Sequence, residues 1–556
     1  MRRKNWELKG IFWIITLLFV GFLAAPILLL LGKSLVGEGG FTWEFYASVV
    51  TREGFLTALG NSFAVAAVAA TVIAFLMAYA VHYTGLPRWA KRFITAIATL
   101  PMFLPTITYG FAIIYSFGKQ GLLTRLLGRQ FFDIYGFGGL LVGYVIYTIP
   151  VAFLLIHNTM GFVDKKTIIV SKAMGDRDLA TFWIAILRPL LGTLAGAFIQ
   201  AFFLCFTDFG IPASVGGGYE VIATLLYNQM LGGIPDFNRG AVIAMILLIP
   251  SIGSICILQL LERFNIRYTR ISQADLRKNP LRDTGWGVSS TAISVAILSI
   301  FAVIFVVPLV EQWPYQTSFS LEHFAAVFTD SELITVYWHS LVMALLTAFL
   351  GTLAAYGAAL ITARSTLPPR YKRVIESIAL VTNAIPGMVL GVAYLFLFSG
   401  SGLQNTLLLM ILCNIVHYFS TPYLMMKNSL SKMNAGWETT AMLMGDSWLQ
   451  TILRVVTPNA LSSLIEVFSY YFINSMVTIS ALIFIAGART MVLTTMIKQL
   501  QYVNRFNEVF VLSLLILATN LVAKGLFSCL ASYKASHPVK ERRSIQLFGN
   551  RKEAVQ

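Results

Sequence analysis

Charged residues, histidine and cysteine are all scarce in this chain. Asp, Glu, Lys and Arg make up 12% of its 556 residues, whereas soluble domains carry about 25%, which excludes an ordinary soluble enzyme and a disordered chain. The six histidines are not clustered, and the four cysteines, Cys205, Cys256, Cys413 and Cys529, show no paired spacing. The sequence therefore predicts neither a metal site nor a disulfide framework.

What the chain has instead is apolar sequence, with 57% hydrophobic residues and a mean hydropathy of +0.74. A helix needs about 20 apolar residues to cross a bilayer. Twelve such runs predict an all-α integral membrane protein, and the predicted spans are 10–32, 62–84, 93–117, 137–157, 189–211, 239–261, 287–310, 337–361, 374–398, 406–427, 460–487 and 507–530.

The positive charge of the chain, +16 in total, is placed between the apolar runs. Lys and Arg concentrate in alternate segments, whereas Asp and Glu are spread evenly over both sets. This is the pattern of the positive-inside rule, so both termini are predicted to be cytoplasmic. The excess of Lys and Arg is explained by the orientation of the chain in the lipid bilayer, so we expect no nucleic-acid partner.

The six-span pattern occurs twice. The most basic segment, 262–286, separates two blocks in which the second span ends in a short basic turn, 85–92 or 366–373, and the third span carries a proline. An even number of spans makes these parallel repeats. The predicted organisation is a first permease-like domain, 1–270, a basic linker, 271–286, a second domain, 287–533, and a basic tail, 534–556.

The loops between spans four and five of each block, 163–189 and 433–458, are here called the elbow loops. Their apolar residues recur at helical spacing, and each contains a glycine suited to the left-handed residue that ends a helix. The following aspartate is expected to cap the next helix, and a proline to open the next span. The candidate residues are Asp164, Ala173, Gly175, Asp176, Pro189, Glu438, Ala441, Gly445, Asp446 and Pro458.

On these residues the chain resembles the permease subunits of binding-protein-dependent ABC importers. The hallmark of that family is Glu-Ala-Ala, three residues, Gly, nine residues and Ile-x-Leu-Pro. The second elbow loop keeps the Gly-to-Pro distance and the first is one residue longer, while the triplet is replaced by Thr439–Ala441 and Ile169–Ser171. The resemblance covers both blocks and implies two fused six-helix permease domains of the type I kind.

The resemblance also implies partners. These are two copies of a cytoplasmic ABC ATPase docked on the elbow loops, with ATP and Mg on the ATPase and no cofactor on this chain, and an external solute-binding protein. It implies ATP-driven alternating access in the bacterial inner membrane. The chain has no G-x-x-x-x-G-K-[ST] phosphate loop, so we expect no enzyme activity of its own.

The solute is left open by the sequence. The stretches 207–212 and 475–481 resemble permeases for ferric iron or for phosphonates such as 2-aminoethylphosphonate, and polyamine, sulfate and thiamine permeases share the architecture. The rival from another class is an ion-gradient-driven secondary transporter of two six-helix halves. That rival predicts coupling charges near the bilayer midplane, which are scarce here, and gives no reason for the paired elbow loops.

Asp208 and Glu466 are acids that lie inside predicted spans. Asp208 is expected either to cap the break after span five or to lie in the outer gate of the substrate pathway. Asn474, Ser475, Thr478 and Ser480 form a polar stripe that lines the pathway or joins helices. Glu466 is predicted to be an inter-helix partner.

Overall fold

The computed structural model describes residues 6–37, 39–68, 71–262, 279–434 and 436–536. Half of the predicted basic linker and nearly all of the predicted tail lie outside these described residues. The domain boundaries themselves stay a prediction.

The first half of the chain folds into fifteen helices and one short hairpin. The helices are α1 Trp6–Phe19, α2 Ala25–Leu35, α3 Glu44–Val50, α4 Phe55–Ala67, α5 Thr71–Tyr83, α6 Arg88–Thr99, α7 Thr106–Phe117, α8 Leu122–Leu127, α9 Phe137–Met160, α10 Lys166–Ala173, α11 Asp178–Phe182, α12 Arg188–Thr207, α13 Gly210–Val215, α14 Ile222–Leu231 and α15 Phe237–Glu262. The hairpin pairs β1 Val36–Gly37 with β2 Gly40–Phe41 in antiparallel register.

The second half repeats much of this order. Its helices are α16 Pro280–Val306, α17 Glu322–Thr329, α18 Ser331–Arg364, α19 Pro369–Ala384, α20 Gly387–Phe398, α21 Leu407–His417, α22 Ser420–Ser431, α23 Gly436–Leu443, α24 Trp448–Thr451, α25 Thr457–Val477, α26 Leu493–Tyr502 and α27 Phe506–Ser536. Its hairpin pairs β3 Val310–Gln312 with β4 Gln316–Phe319.

The number of membrane-crossing helices is close to the predicted twelve. Among the described residues, eight helical segments are long and apolar enough to cross a bilayer, and three bent pairs of helices bring the total to eleven. The one predicted span that is missing from this total is 460–487. It corresponds to α25, which has 21 residues but carries Glu466, Asn474 and several serines that lower its hydropathy. Since α25 ends at Val477, the prediction that this span continues to residue 487 is wrong.

The prolines of the elbow loops lie in the first turns of α12 and α25, as predicted, but these helices continue directly from preceding helical turns. A helix already begins at Asp178, and a π-helical turn, Trp183–Leu187, joins it to α12. The second half repeats this arrangement with a π turn at Ile452–Val456 before Pro458. A proline inside a helix lacks an N–H and clashes with the carbonyl four residues earlier, and a widened turn directly before it fits that requirement.

The two halves are interlocked by their first helices. Helices α1 and α2 lie against α18 and α20 of the second half, and α16 lies against α5, α6 and α7 of the first. The ring centroids of Phe19 and Phe419 are 4.4 Å apart, and the Tyr394 hydroxyl donates to the Phe22 carbonyl over 2.7 Å. Each half therefore completes the packing of the other.

Candidate functional site

Both elbow loops contain the predicted left-handed glycine. Gly175 has φ +88° and Gly445 has φ +92°. After α10, the amides of Gly175 and Asp176 donate to carbonyls of the last helical turn, and the Asp446 amide donates to the Ala441 carbonyl in the same way. These bonds satisfy carbonyls that the helix end leaves free, so each loop is a short helix followed by a sharp turn.

The two aspartates after the glycines do not cap the following helix, contrary to prediction. Asp176 accepts a hydrogen bond from the Ser171 hydroxyl at 2.6 Å, so it ties the turn back to α10. Asp446 lies 3.5 Å from Arg454, and the cap of α24 is Ser447, which receives the Gln450 amide. A neighbouring serine supplied the cap in the second loop because its hydroxyl sits one residue closer to the helix.

The turns expose apolar side chains rather than burying them. Met174 and Met444, one residue before each glycine, are 78% and 80% exposed, and Leu179 and Leu443 are also largely exposed. Of the other predicted loop residues, Ala173 is exposed, Ala441 is buried, and Asp164 accepts the Lys166 amide at the start of α10. Exposed apolar patches that lie at matched positions are typical of docking surfaces.

Glu438 points into the protein. Its two carboxylate oxygens accept from Nε and Nη2 of Arg364 at 2.6 Å each. The same guanidinium donates to the carbonyls of Met433 and Asn434, and the Arg364 side chain is only 4% exposed. The end of α18 is therefore fastened to the second elbow loop by a bidentate pair, a form suited to fixed orientation.

A central cavity of about 650 Å³ lies between the halves. Its lining runs from Asp208 and Thr478, at the ends of α12 and α25, to Asn158 and Leu261 near the ends of α9 and α15. Because α10 follows α9 closely, this second end of the cavity is on the elbow-loop side of the protein.

Four of the five predicted pathway residues line this cavity, and Ser475 does not. The prediction that Asp208 lies inside a membrane helix is wrong, because Asp208 follows the last residue of α12. Its carboxylate accepts a hydrogen bond from the Ile211 amide at 2.9 Å and another from Thr106. It therefore both satisfies an amide in the first turn of α13 and borders the cavity, while its place in an outer gate stays a prediction. Asn474, Thr478 and Ser480 line the opposite side.

Several lining residues were not predicted. They come from both halves, and the polar ones include Thr106, Tyr147, Asn158, Gln200, Asn383, His417, Tyr418, Thr421 and Tyr470. For the lining residues near helix breaks, the sequence signal was Pro105 and Pro386. Each of these prolines lies in the break of a helix pair that bends by more than 100°. Within the described residues, the lining holds one carboxylate, Asp208, one imidazole, His417, and no Lys or Arg.

The other end of the cavity is closed by contacts between the halves. Lys498 of α26 donates to the Ala213 carbonyl at 3.4 Å, and Gln501 donates to the same carbonyl at 3.2 Å. Lys498 also lies over the rings of Tyr227 and Tyr502, and burial lowers its pKa to about 8. These contacts join the two halves beyond the Asp208 end of the cavity.

We expect valine in place of Gly175 or Gly445 to uncouple transport. No atom lies within 4 Å of the added Cβ at either position, so the effect comes from the left-handed backbone, which disfavours side chains by about 1–2 kcal/mol. Solute uptake by vesicles should fall together with its stimulation of ATP hydrolysis. Gly253→Val, in open space within α15, is the matched control, and normal uptake in both elbow variants would contradict the expectation.

The chain matches known transport proteins over most of its length. Residues 351–532 match the family described as binding-protein-dependent transport system inner membrane component. The putative ferric transport system permease protein FbpB 1 of Haemophilus influenzae is 24% identical over 88% of this chain and 80% of its own length. The ferric transport system permease protein FbpB of Actinobacillus pleuropneumoniae is 24% identical over 76% of this chain and 63% of its own length.

A more distant relative is the thiamine transport system permease protein ThiP of Haemophilus influenzae, 23% identical over 61% of this chain and 63% of its own length. All three are named as components of transport systems rather than as enzymes. Residues 351–532 therefore match the inner membrane component family of binding-protein-dependent transport systems, and the helical chain as a whole is similar to the permeases named above.

Proposed function

We propose that this chain forms the membrane pathway of an ATP-driven importer for a cationic solute, with ferric iron as the first candidate. The observation that carries the proposal is the cavity lining, with Asp208 as its carboxylate and no Lys or Arg among the described residues. A carboxylate in a low-dielectric cavity attracts cations and repels anions. The names of the two ferric relatives agree with this charge preference.

The cavity lining is less suited to binding a phosphonate such as 2-aminoethylphosphonate. Its phosphonate group carries negative charge, and phosphate-like groups are usually held by Arg, Lys or clustered amides. Thiamine and polyamines are cations and remain alternatives, as does sulfate among the relatives' named solutes.

The proposed energy source is a pair of ATPase subunits, one under each elbow loop. The paired exposed methionines, Met174 and Met444, and the fastening of Glu438 to Arg364 support a role in transmitting force. ATP binding would favour one state of the halves because the ATPase contacts differ between states. We further propose that both termini and both elbow loops are cytoplasmic, in line with the distribution of Lys and Arg.

The test is uptake by proteoliposomes that contain the chain, its ATPase and its binding protein. We expect ATP-dependent uptake of radioactive ferric iron, supplied on the binding protein, and no uptake of 2-aminoethylphosphonate. Chain reconstituted without the ATPase should neither hydrolyse ATP nor accumulate iron. Phosphonate uptake without iron uptake would reject the cationic solute, and uptake driven by an ion gradient alone would reject the importer.

A further inference from the structure

A second cavity, of about 460 Å³, adjoins the central one. It lies between α6 and the 3₁₀ turn that follows it, Leu100–Phe103, on one side, and α25 and α27 on the other. The two cavities share lining residues, including Met102, Leu154 and Asn474. We call this second cavity the side crevice.

The side crevice contains an acid and a base at membrane depth. Glu466 lies 11 residues before the end of α25, roughly 16 Å along the helix. Lys524 lies nine residues before Tyr533, the end of the apolar segment of α27. Both side chains line the crevice and both are exposed.

Neither charge has a polar partner within the part of the chain that the structure describes. No ion pair within 4.0 Å and no hydrogen bond involves either side chain there, and the buried Ser469 hydroxyl in the same lining also lacks a partner. A charge facing hydrocarbon costs about 2.5–3.5 kcal/mol on insertion scales. Exposed charges at this depth therefore require water in the crevice.

The corresponding place in the first half has no such charges. Counting from either end of α12 and α25 sets Gly196 or Ala197 opposite Glu466, and counting from the first residue of α15 and α27 sets Ile255 opposite Lys524. Ile255 is buried, and an added Cβ at Gly196 would lie 3.2 Å from the Leu258 side chain. Of these two pseudo-symmetric positions, only the side crevice therefore carries charged side chains.

We propose that the side crevice is the inner exit for the cationic solute, with Glu466 as a second carboxylate station after Asp208 and Lys524 as its counter-charge when no solute is present. The proposal rests on the proposed function for the charge of the solute. The exit is thereby assigned to one of two pseudo-symmetric positions, and Glu466 receives a role beside that of Asp208.

Thiol labelling tests the crevice without reference to any solute. In a chain whose four cysteines are replaced by serine, Ser462→Cys places a thiol in the crevice lining. We expect labelling from the inner side of membrane vesicles by a trimethylammonium thiosulfonate faster than by a sulfonate one. Glu466→Gln should lower that rate ratio about tenfold, because Ser462 and Glu466 are four residues apart on α25, with Cβ atoms about 6 Å apart, and a unit charge at that distance in water attracts the cation and repels the anion by about 0.7 kcal/mol each. Lys524→Gln should raise the ratio.

Leu526→Cys, exposed on α27 outside the crevice lining, should resist both reagents. In the uptake assay, Glu466→Gln should lower ferric iron uptake at least fivefold while binding-protein-stimulated ATP hydrolysis persists, and Glu322→Gln on α17 should change neither. The proposed exit is wrong if neither reagent labels Ser462→Cys, or if Glu466→Gln leaves the ratio of the two labelling rates unchanged. If the unmodified chain takes up no iron but shows the expected labelling pattern, ferric iron is rejected as the solute, and the side crevice is still a water-filled path.

Discussion

Replacing Arg364 with Met is expected to lower the free energy of unfolding by about 3–5 kcal/mol and to abolish coupled uptake. The change leaves Glu438 without its bidentate partner and two carbonyls without donors. Removing one member of a buried pair leaves an uncompensated charge, which is the costly case. The measurement is thermal unfolding in detergent, combined with ATP-driven uptake in vesicles.

The double variant Arg364→Met with Glu438→Met separates charge burial from coupling. Apolar replacement of both partners is often neutral for stability, so we expect stability to return while uptake stays low. Lys172→Ala is the control, since its pair with Asp178 is exposed and such pairs contribute about 0–1 kcal/mol. Equal losses of stability in the single and double variants would show that the pair is not what stabilises the loop.

Asp208→Asn is expected to lower cation uptake at least tenfold with little loss of stability. The amide oxygen can still accept the Ile211 amide, so the cap of α13 survives while the negative charge is lost. A tenfold effect corresponds to about 1.4 kcal/mol of lost interaction. Asp208→Ala also removes the cap, which contributes about 0.5–2 kcal/mol, so it should lower both uptake and the melting temperature.

The control for Asp208 is Ser475→Ala. Ser475 is buried, its hydroxyl has no partner among the described residues, and it does not line the cavity. We expect normal iron uptake from this variant. Iron uptake by Asp208→Asn equal to that of the unmodified chain would remove Asp208 from the pathway and leave it only the role of a helix cap.

The membrane helices and the elbow turns could be predicted from the sequence because their causes are local. Apolar length decides whether a helix crosses the bilayer, and Gly175 and Gly445 occupy the backbone conformation that favours glycine. Span ends were less predictable. Asp208 and Thr478 follow the last residues of α12 and α25, and hydropathy does not register a break between two apolar segments.

The rest depended on contacts between distant residues. Arg364 and Glu438 are separated by 74 positions, and the cavity lining is collected from breaks in both halves, such as the one between His417 and Ser420. Pro189 and Pro458 were expected at helix starts because that is their favoured place; the π turns before them could not be read from composition. Of the predicted polar stripe, Asn474, Thr478 and Ser480 line the cavity and Ser475 does not, because Ser475 is one position from Asn474 on α25 and therefore lies about 100° around the helix from it.

The interlocking of the first helices bears on how the protein is made. The surface that receives Phe22 includes Tyr394, 372 positions later in the chain, so Phe22 enters the membrane well before this partner has been synthesised. Fusion of the halves keeps that partner on the same polypeptide and at high local concentration. The packing around Phe22 is therefore completed only after α20 has been inserted.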